Sequence, residues 1–132
     1  MVKLKGRNAI VTGAAVGLGS SYAKALAQQG VNVAVCDLRE EIHEIAESLR
    51  ALGVNAVSYQ GDVSDPDHVR TVVDGAREEF GSIDILVNNA GVWGVSVADD
   101  GMDKSIEDYE QIIGTNLKGE YLFGRAVIPI MI

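Results

Sequence analysis

The stretch TGAAVGLGS, Thr12 to Ser20, places glycines at 13, 17 and 19. So much glycine in so short a segment carries an entropic cost that a tight turn, or a body lying against bare backbone, must justify. The apolar run NAIV enters the segment and SYAKALAQQG leaves it, a passage from strand to helix. At such a passage the unpaired N–H groups and positive dipole end of a helix meet an anion. Gly13 allows the sharp turn, and the absent Cβ atoms of Gly17 and Gly19 leave room for a pyrophosphate. A purely structural turn is the alternative reading. No lysine follows in P-loop position, which disfavours a triphosphate cradle, and the spacing G-x-x-x-G-x-G departs from G-x-G-x-x-G.

Carboxylates and amides of matching type follow. Asp37 closes the next apolar run, VNVAVC, eighteen residues past Gly19. A carboxylate there meets the adenosine ribose hydroxyls of a bound dinucleotide. The alternative is that DLRE forms a D-x-x-E capping box for the following helix. Asp62 and Val63 come after a third apolar run, where Asp62 also fits a turn and Ser64 a helix cap. Asn88 and Asn89 in NNAG are poor strand formers placed for hydrogen bonding or for a turn. Asn116 falls on an apolar stripe, the pattern of a buried and satisfied polar residue.

Other reactive types carry less. Cys36, the single cysteine, excludes an internal disulfide and reads as a buried hydrophobe in a reducing compartment. His43 and His68 stand apart on helical segments, expected to face solvent, and no metal pair is suggested. Asp99, Asp103, Ser105, Glu107 and Glu110 approach calcium-loop spacing, but Gly101 replaces a ligand and Lys104 the required glycine. Trp93 is as consistent with plain packing as with the border of a substrate pocket.

The elements that must position these groups alternate. Apolar, β-rich runs at 8–12, 31–36, 55–60 and 83–89 are separated by helical patterns at about 18–29, 40–52 and 66–80. The helices place Tyr22, Ala23 and Leu26, then Ile42, Ile45, Ala46 and Leu49, then Val69, Val72, Val73 and Ala76 on their inner faces. Gly30, Gly53 and Gly81 stop them. A longer helix from Ser105 carries the stripe Ile106, Tyr109, Ile113, Phe123, Val127 and Ile130. The alternation predicts a doubly wound α/β domain with a parallel sheet of order 3-2-1-4 and right-handed crossovers, residues 1–132 forming one dinucleotide-binding unit.

Bulk properties agree. The 132 residues suffice for one core, with 47% apolar and 23% charged residues. A net charge of −8, from 11 basic and 19 acidic residues, argues against nucleic-acid or anionic-membrane partners. No apolar run reaches membrane-spanning length, and MVKLKGRN lacks the apolar stretch of a signal peptide, so a cytoplasmic protein is expected. The sequence closes on AVIPIMI, an apolar run where a soluble domain is usually polar.

Taken together, TGAAVGLG, Asp37, Asp62–Val63, DILVNNAG and Asn116 resemble the short-chain dehydrogenase/reductase family along essentially the whole chain. The resemblance implies a Rossmann-like fold and hydride transfer between a nicotinamide and an alcohol or carbonyl substrate. It implies that Gly13, Gly17, Leu18 and Gly19 line the pyrophosphate and nicotinamide side and that Asp37, with Leu38 beside it, takes the adenine ribose. By the same token Asp62 and Val63 contact adenine, and Asn89, Ala90 and Gly91 pack beside the cofactor. Asn116 would be the first of a catalytic Asn-Ser-Tyr-Lys set, extending a proton relay through helix backbone and water. The other three would follow the next strand, so this reads as a C-terminally incomplete N-terminal portion, inactive alone and a homo-oligomer when complete. YLFGR, Tyr121 to Arg125, is no substitute for Y-x-x-x-K, because arginine stays protonated. Asp37 opposes the 2′-phosphate of NADP, so NAD is the expected cofactor, with Arg39 the one residue able to reverse this. A non-catalytic dinucleotide-binding module is the alternative function, and an isomerase or dehydratase on the same scaffold a third.

Overall fold

A computed structural model describes residues 3–93 and 105–132. Strands β1 (Asn8–Thr12), β2 (Asn32–Asp37), β3 (Ala56–Gln60) and β4 (Ile85–Val87) alternate with helices α1 (Gly17–Gln28), α2 (Ile42–Arg50) and α3 (Pro66–Phe80). The last segment is one rod in three parts: α4 (Ile106–Ile113), a π-helical turn (Gly114–Lys118) and α5 (Gly119–Met131). All strand pairs are parallel and the order is β3-β2-β1-β4, as expected. Among the described residues, no helix is long and apolar enough to cross a membrane.

The pleat of β1 divides the core. Ala9 and Val11 face Ala23, Ala27, Val33, Val35, Ile42 and Leu49, between the sheet and α1–α2. Ile10 faces the other way, with Ala34 and Cys36, onto Val69, Val72, Ala76, Phe123 and Val127 of α3 and α5. A strand covered on both faces must be apolar throughout, and every residue of β1 is buried. The strands are tied at their starts by asparagines: Asn32 Nδ2 donates to Asn8 Oδ1 (2.9 Å), and the Asn55 N–H donates to Asn32 Oδ1 (3.0 Å). Asn8 Nδ2 donates to Ser82 Oγ at 3.0 Å, and the Asn8 N–H donates to Asp84 Oδ2 at 2.9 Å, which pins β4. Burial raises the Asp84 pKa, but the Asn8 N–H and the Arg7 guanidinium more than offset it, leaving this carboxyl below its usual range.

Several expectations need correction. β4 is three residues rather than seven and only half-buried, because β1 is its sole partner among the described strands. Tyr22 is 43% exposed, so the inner face of α1 is the small stripe Gly19, Ala23 and Ala27. The front of the long stripe is open as well: Ile106 is 73% and Tyr109 62% exposed, while Phe123 and Val127 are sealed. The π-turn accounts for this, since its extra residue per turn rotates the face of α4 relative to α5. Asp65, not Ser64, caps α3, its carboxylate accepting from the Asp67 N–H at 2.9 Å with Pro66 at the first helical position. The capping box at DLRE does not form, because α2 starts only at Ile42 and its cap residue Glu41 makes no side-chain bond. His68 is half-buried rather than solvent-facing.

Candidate functional site

The C-terminal ends of β1, β2, β3 and β4 converge on a cleft of about 390 Å³. Its walls are Gly13, Val16, Asp37, Leu38, Arg39, Gly61, Asp62, Val63, Asn89, Ala90, Gly91, Val92 and Thr115. A doubly wound sheet binds its ligand there, where the connections part to opposite faces. Eight of the residues expected from the sequence to meet the cofactor, and Arg39 besides, are therefore brought together.

The glycine turn is shaped by two separate demands. Gly13 has φ +65° and lies so close to the fourth strand's exit that a Cβ would fall 2.7 Å from the Ala90 Cα. Gly17 has φ +60° and faces open space. Gly19 serves packing rather than ligand room: a Cβ there would collide with the Gly13 carbonyl and approach its carbon to 2.8 Å. This glycine lets α1 sit on the turn that precedes it. Val16, at the cap position of α1, has no side chain able to accept from the first-turn N–H groups, and no acidic residue stands in that turn. Leu18 is 66% exposed and, like Gly17 and Gly19, is not part of the cleft wall.

Thr12, which composition and spacing did not single out, joins the two halves of the site. Its hydroxyl donates to the Val87 carbonyl (3.4 Å) and accepts from the N–H groups of Asn89 (3.1 Å) and Ala90 (3.0 Å). Asn89 Nδ2 returns the tie, donating to the carbonyls of Thr12 (3.2 Å) and Gly13 (3.0 Å). The hydrogen-bonding capacity of a buried threonine is thereby filled. Its immediate neighbour Gly13 was the available clue.

Asp37 is held from both sides. Oδ2 accepts from the Ala15 N–H and Oδ1 from the Arg39 N–H, each at 3.0 Å. The carboxylate is therefore a fixed feature of the cleft wall, pointing across the glycine turn. Asp62 Oδ1 accepts from both the N–H and the hydroxyl of Ser64 at 2.8 Å, the turn role foreseen for it. Cys36 lies behind the wall with no exposed surface; burial, joined by the Asp37 charge and opposed by a Gly13 backbone hydrogen bond, pushes its thiol up to about 12.

Asn116 sits in the π-turn. Its side chain is occupied: Oδ1 accepts from the Val92 N–H at 2.7 Å and Nδ2 donates to the Val92 carbonyl at 3.0 Å. The two bonds fasten the rod to the segment leaving β4, and the neighbouring Thr115 reaches the cleft. Trp93 is 94% exposed, without packing contacts that would bury it. Residues 94–104, with Asp99 and Asp103 of the calcium-like spacing, lie outside the described residues.

Residues 7–132 match the sequence profile of the family described as short chain dehydrogenase. The chain belongs to that family. It is 39% identical over 132 residues to the oxidoreductase UcpA of Salmonella typhimurium, covering all of this chain and 49% of the relative. Against the 3-oxoacyl-[acyl-carrier-protein] reductase FabG of Staphylococcus aureus it is 35% identical over 128 residues, 96% of this chain and 51% of that one. A short-chain dehydrogenase/reductase from Burkholderia phymatum, solved in complex with NAD, superposes with a TM-score of 0.91 at 31% identity, over 99% of this chain and 46% of that one. The chain spans about half the length of the curated relatives it matches.

Proposed function

We propose that the protein carrying this chain is a nicotinamide-dependent oxidoreductase that moves hydride between its cofactor and an alcohol or carbonyl substrate, with NAD(H) preferred over NADP(H). The observation that carries the reading is the Asp37 carboxylate, anchored by two backbone N–H groups in the wall of a cleft at the sheet's C-terminal edge. The cradle also suits a dinucleotide: Gly17 stands open at the start of α1, and no side chain among the described residues satisfies that helix's first N–H groups. When bound, a nicotinamide would donate or accept the hydride, and the protein would supply position and field.

The residues divide that labour. The Gly13–Gly17 turn and the start of α1 would hold the pyrophosphate, Asp37 and Leu38 the adenine ribose, and Asp62 with Val63 the adenine. Asn89, Ala90 and Gly91 form the wall toward the nicotinamide. Asn116, its side chain committed to Val92, contributes to a proton relay through main chain in the π-turn rather than through its amide. Substrate protonation belongs to the Ser, Tyr and Lys that the family resemblance places beyond this chain.

Cofactor choice follows from charge. A 2′-phosphate about 4 Å from the Asp37 carboxylate meets a repulsion of roughly 1 kcal/mol in water and about 4 kcal/mol at a protein surface. Arg39 lines the same cleft and, among the described residues of its wall, is the one cation that opposes this effect. Titration of the complete protein should show NADH binding about tenfold or more tighter than NADPH, since each 1.4 kcal/mol is a decade. Asp37→Ala should narrow the ratio and Arg39→Ala widen it; equal affinities in the unmodified protein contradict the preference.

A further inference from the structure

We propose that His68 is a positioning residue for the adenine end of the cleft, its neutral imidazole serving as the rear support of the Gly61–Asp62 wall and its protonation withdrawing that support. The inference rests on the dinucleotide reading above. A Cβ built on Gly61 would fall nearest to His68 Nδ1 and within 2.5 and 2.6 Å of Cε1 and Cγ, the two ring atoms flanking it. Distances to the flanking atoms this short, where an edge-on approach to Nδ1 would leave both at ~3.2 Å for ordinary ring bond lengths, mean that the flat of the ring, not its edge, lies on Gly61. The other side of Gly61 lines the cleft, and its N–H donates to the Asp37 carbonyl at 2.9 Å. One glycine thus separates the imidazole from the site and couples the exits of β2 and β3.

The second observation is an orphan. His68 Nε2 is buried and has no hydrogen-bond partner among the described residues, an arrangement a neutral ring tolerates as an unpaired acceptor or donor. A charged ring cannot remain so, because an unpaired buried N–H⁺ is far costlier. The carboxylates that act on the ring are Asp65 and Asp62, both in the loop before α3, while Asp67 on its own helix is paired with Arg70. Burial holds the His68 pKa below its ordinary value despite them. A protonated ring turning toward these carboxylates leaves Gly61 unsupported and competes for Asp62, whose Oδ1 now orders Ser64. Cofactor binding selects the neutral ring, so affinity falls with acid.

The test compares the complete protein with His68→Gln, titrating NADH, ADP-ribose and nicotinamide mononucleotide at about pH 7.5 and about pH 5.5, on either side of an ordinary imidazole pKa. The unmodified protein should lose about threefold more affinity for NADH and ADP-ribose on acidification than the variant does, the size at about pH 5.5 of a one-unit pKa difference between free and bound states when the free-state pKa already lies below that of an ordinary imidazole. Nicotinamide mononucleotide, lacking adenosine, should show no such difference. Matching pH profiles in protein and variant, or an equal loss for nicotinamide mononucleotide, overturn the proposal. If neither NADH nor ADP-ribose binds at the higher pH, the dinucleotide reading itself falls and takes the proposal with it. Should His68→Gln not fold, the His68 Hε1 resonance of the unmodified protein decides: its titration midpoint must drop on saturation with ADP-ribose, and an unmoved midpoint overturns the proposal.

Discussion

Single residues of the glycine turn behave as different objects despite their common type. Gly17→Ala places a methyl in open space and should cost about 1–2 kcal/mol, the strain of a left-handed backbone without glycine. Gly19→Ala drives a methyl into the Gly13 carbonyl and should cost about 3 kcal/mol or more, at or beyond the upper range for overpacking. Chemical denaturation of both variants checks the order; equal losses would show that α1 can slide to admit the methyl. Cys36 supports a second expectation. With its thiol pushed up to about 12 and no exposed surface, it should resist iodoacetamide at about pH 8, where a free cysteine near its ordinary pKa of roughly 8.5 reacts. Alkylation should appear only in denaturant, read by mass spectrometry. Labelling of the folded protein at the denatured rate would mean that the wall behind Asp37 opens.

At the scale of elements, the joint between β1 and β4 is chemical as well as geometric. Thr12→Val keeps the shape of the side chain but strands the N–H groups of Asn89 and Ala90, and should cost about 1–3 kcal/mol. Thermal unfolding measures it, and an unchanged midpoint would mean that water replaces the hydroxyl. The sequence announced the order of strands and helices because hydrophobic period and glycine stops are local signals: Val69, Val72, Val73 and Ala76 are buried as their spacing requires. Gly13, Asp37 and Asp62 were legible for the same reason, the first two standing directly after an apolar run and Asp62 one residue further on. What was hidden depends on distant partners. The true length of β4, the change of face at the π-turn and the seat of His68 on Gly61 are settled by contacts that no window of neighbouring residues contains. Asn116 was readable as a special position, but its two-point bond to Val92 was not.

The molecule as a whole leaves apolar surface open along one side. Leu117, Tyr121 and Ile128 on the rod are 61%, 62% and 54% exposed, and β4 has β1 as its sole partner among the described strands. Expressed as these 132 residues alone, the polypeptide should therefore elute from gel filtration as an associated species rather than a monomer. It should also show no NADH oxidation with ketones or aldehydes, since general acid–base catalysis typically supplies about 10² to 10⁴-fold and the family resemblance assigns its donors to residues outside this segment. Turnover by a monodisperse monomer would refute both expectations. The Thr12 hub has one more consequence, for the order in which the protein is made. Its bonds to Asn89 and Ala90 span 77 and 78 positions of the chain, so the glycine turn emerges from the ribosome long before the strand exit that closes the cleft. At about 5–20 residues per second, the interval is roughly 4–16 s. Loop closure over that span must precede its reward, so the cleft takes shape late, after β1 has waited unpaired on its β4 side.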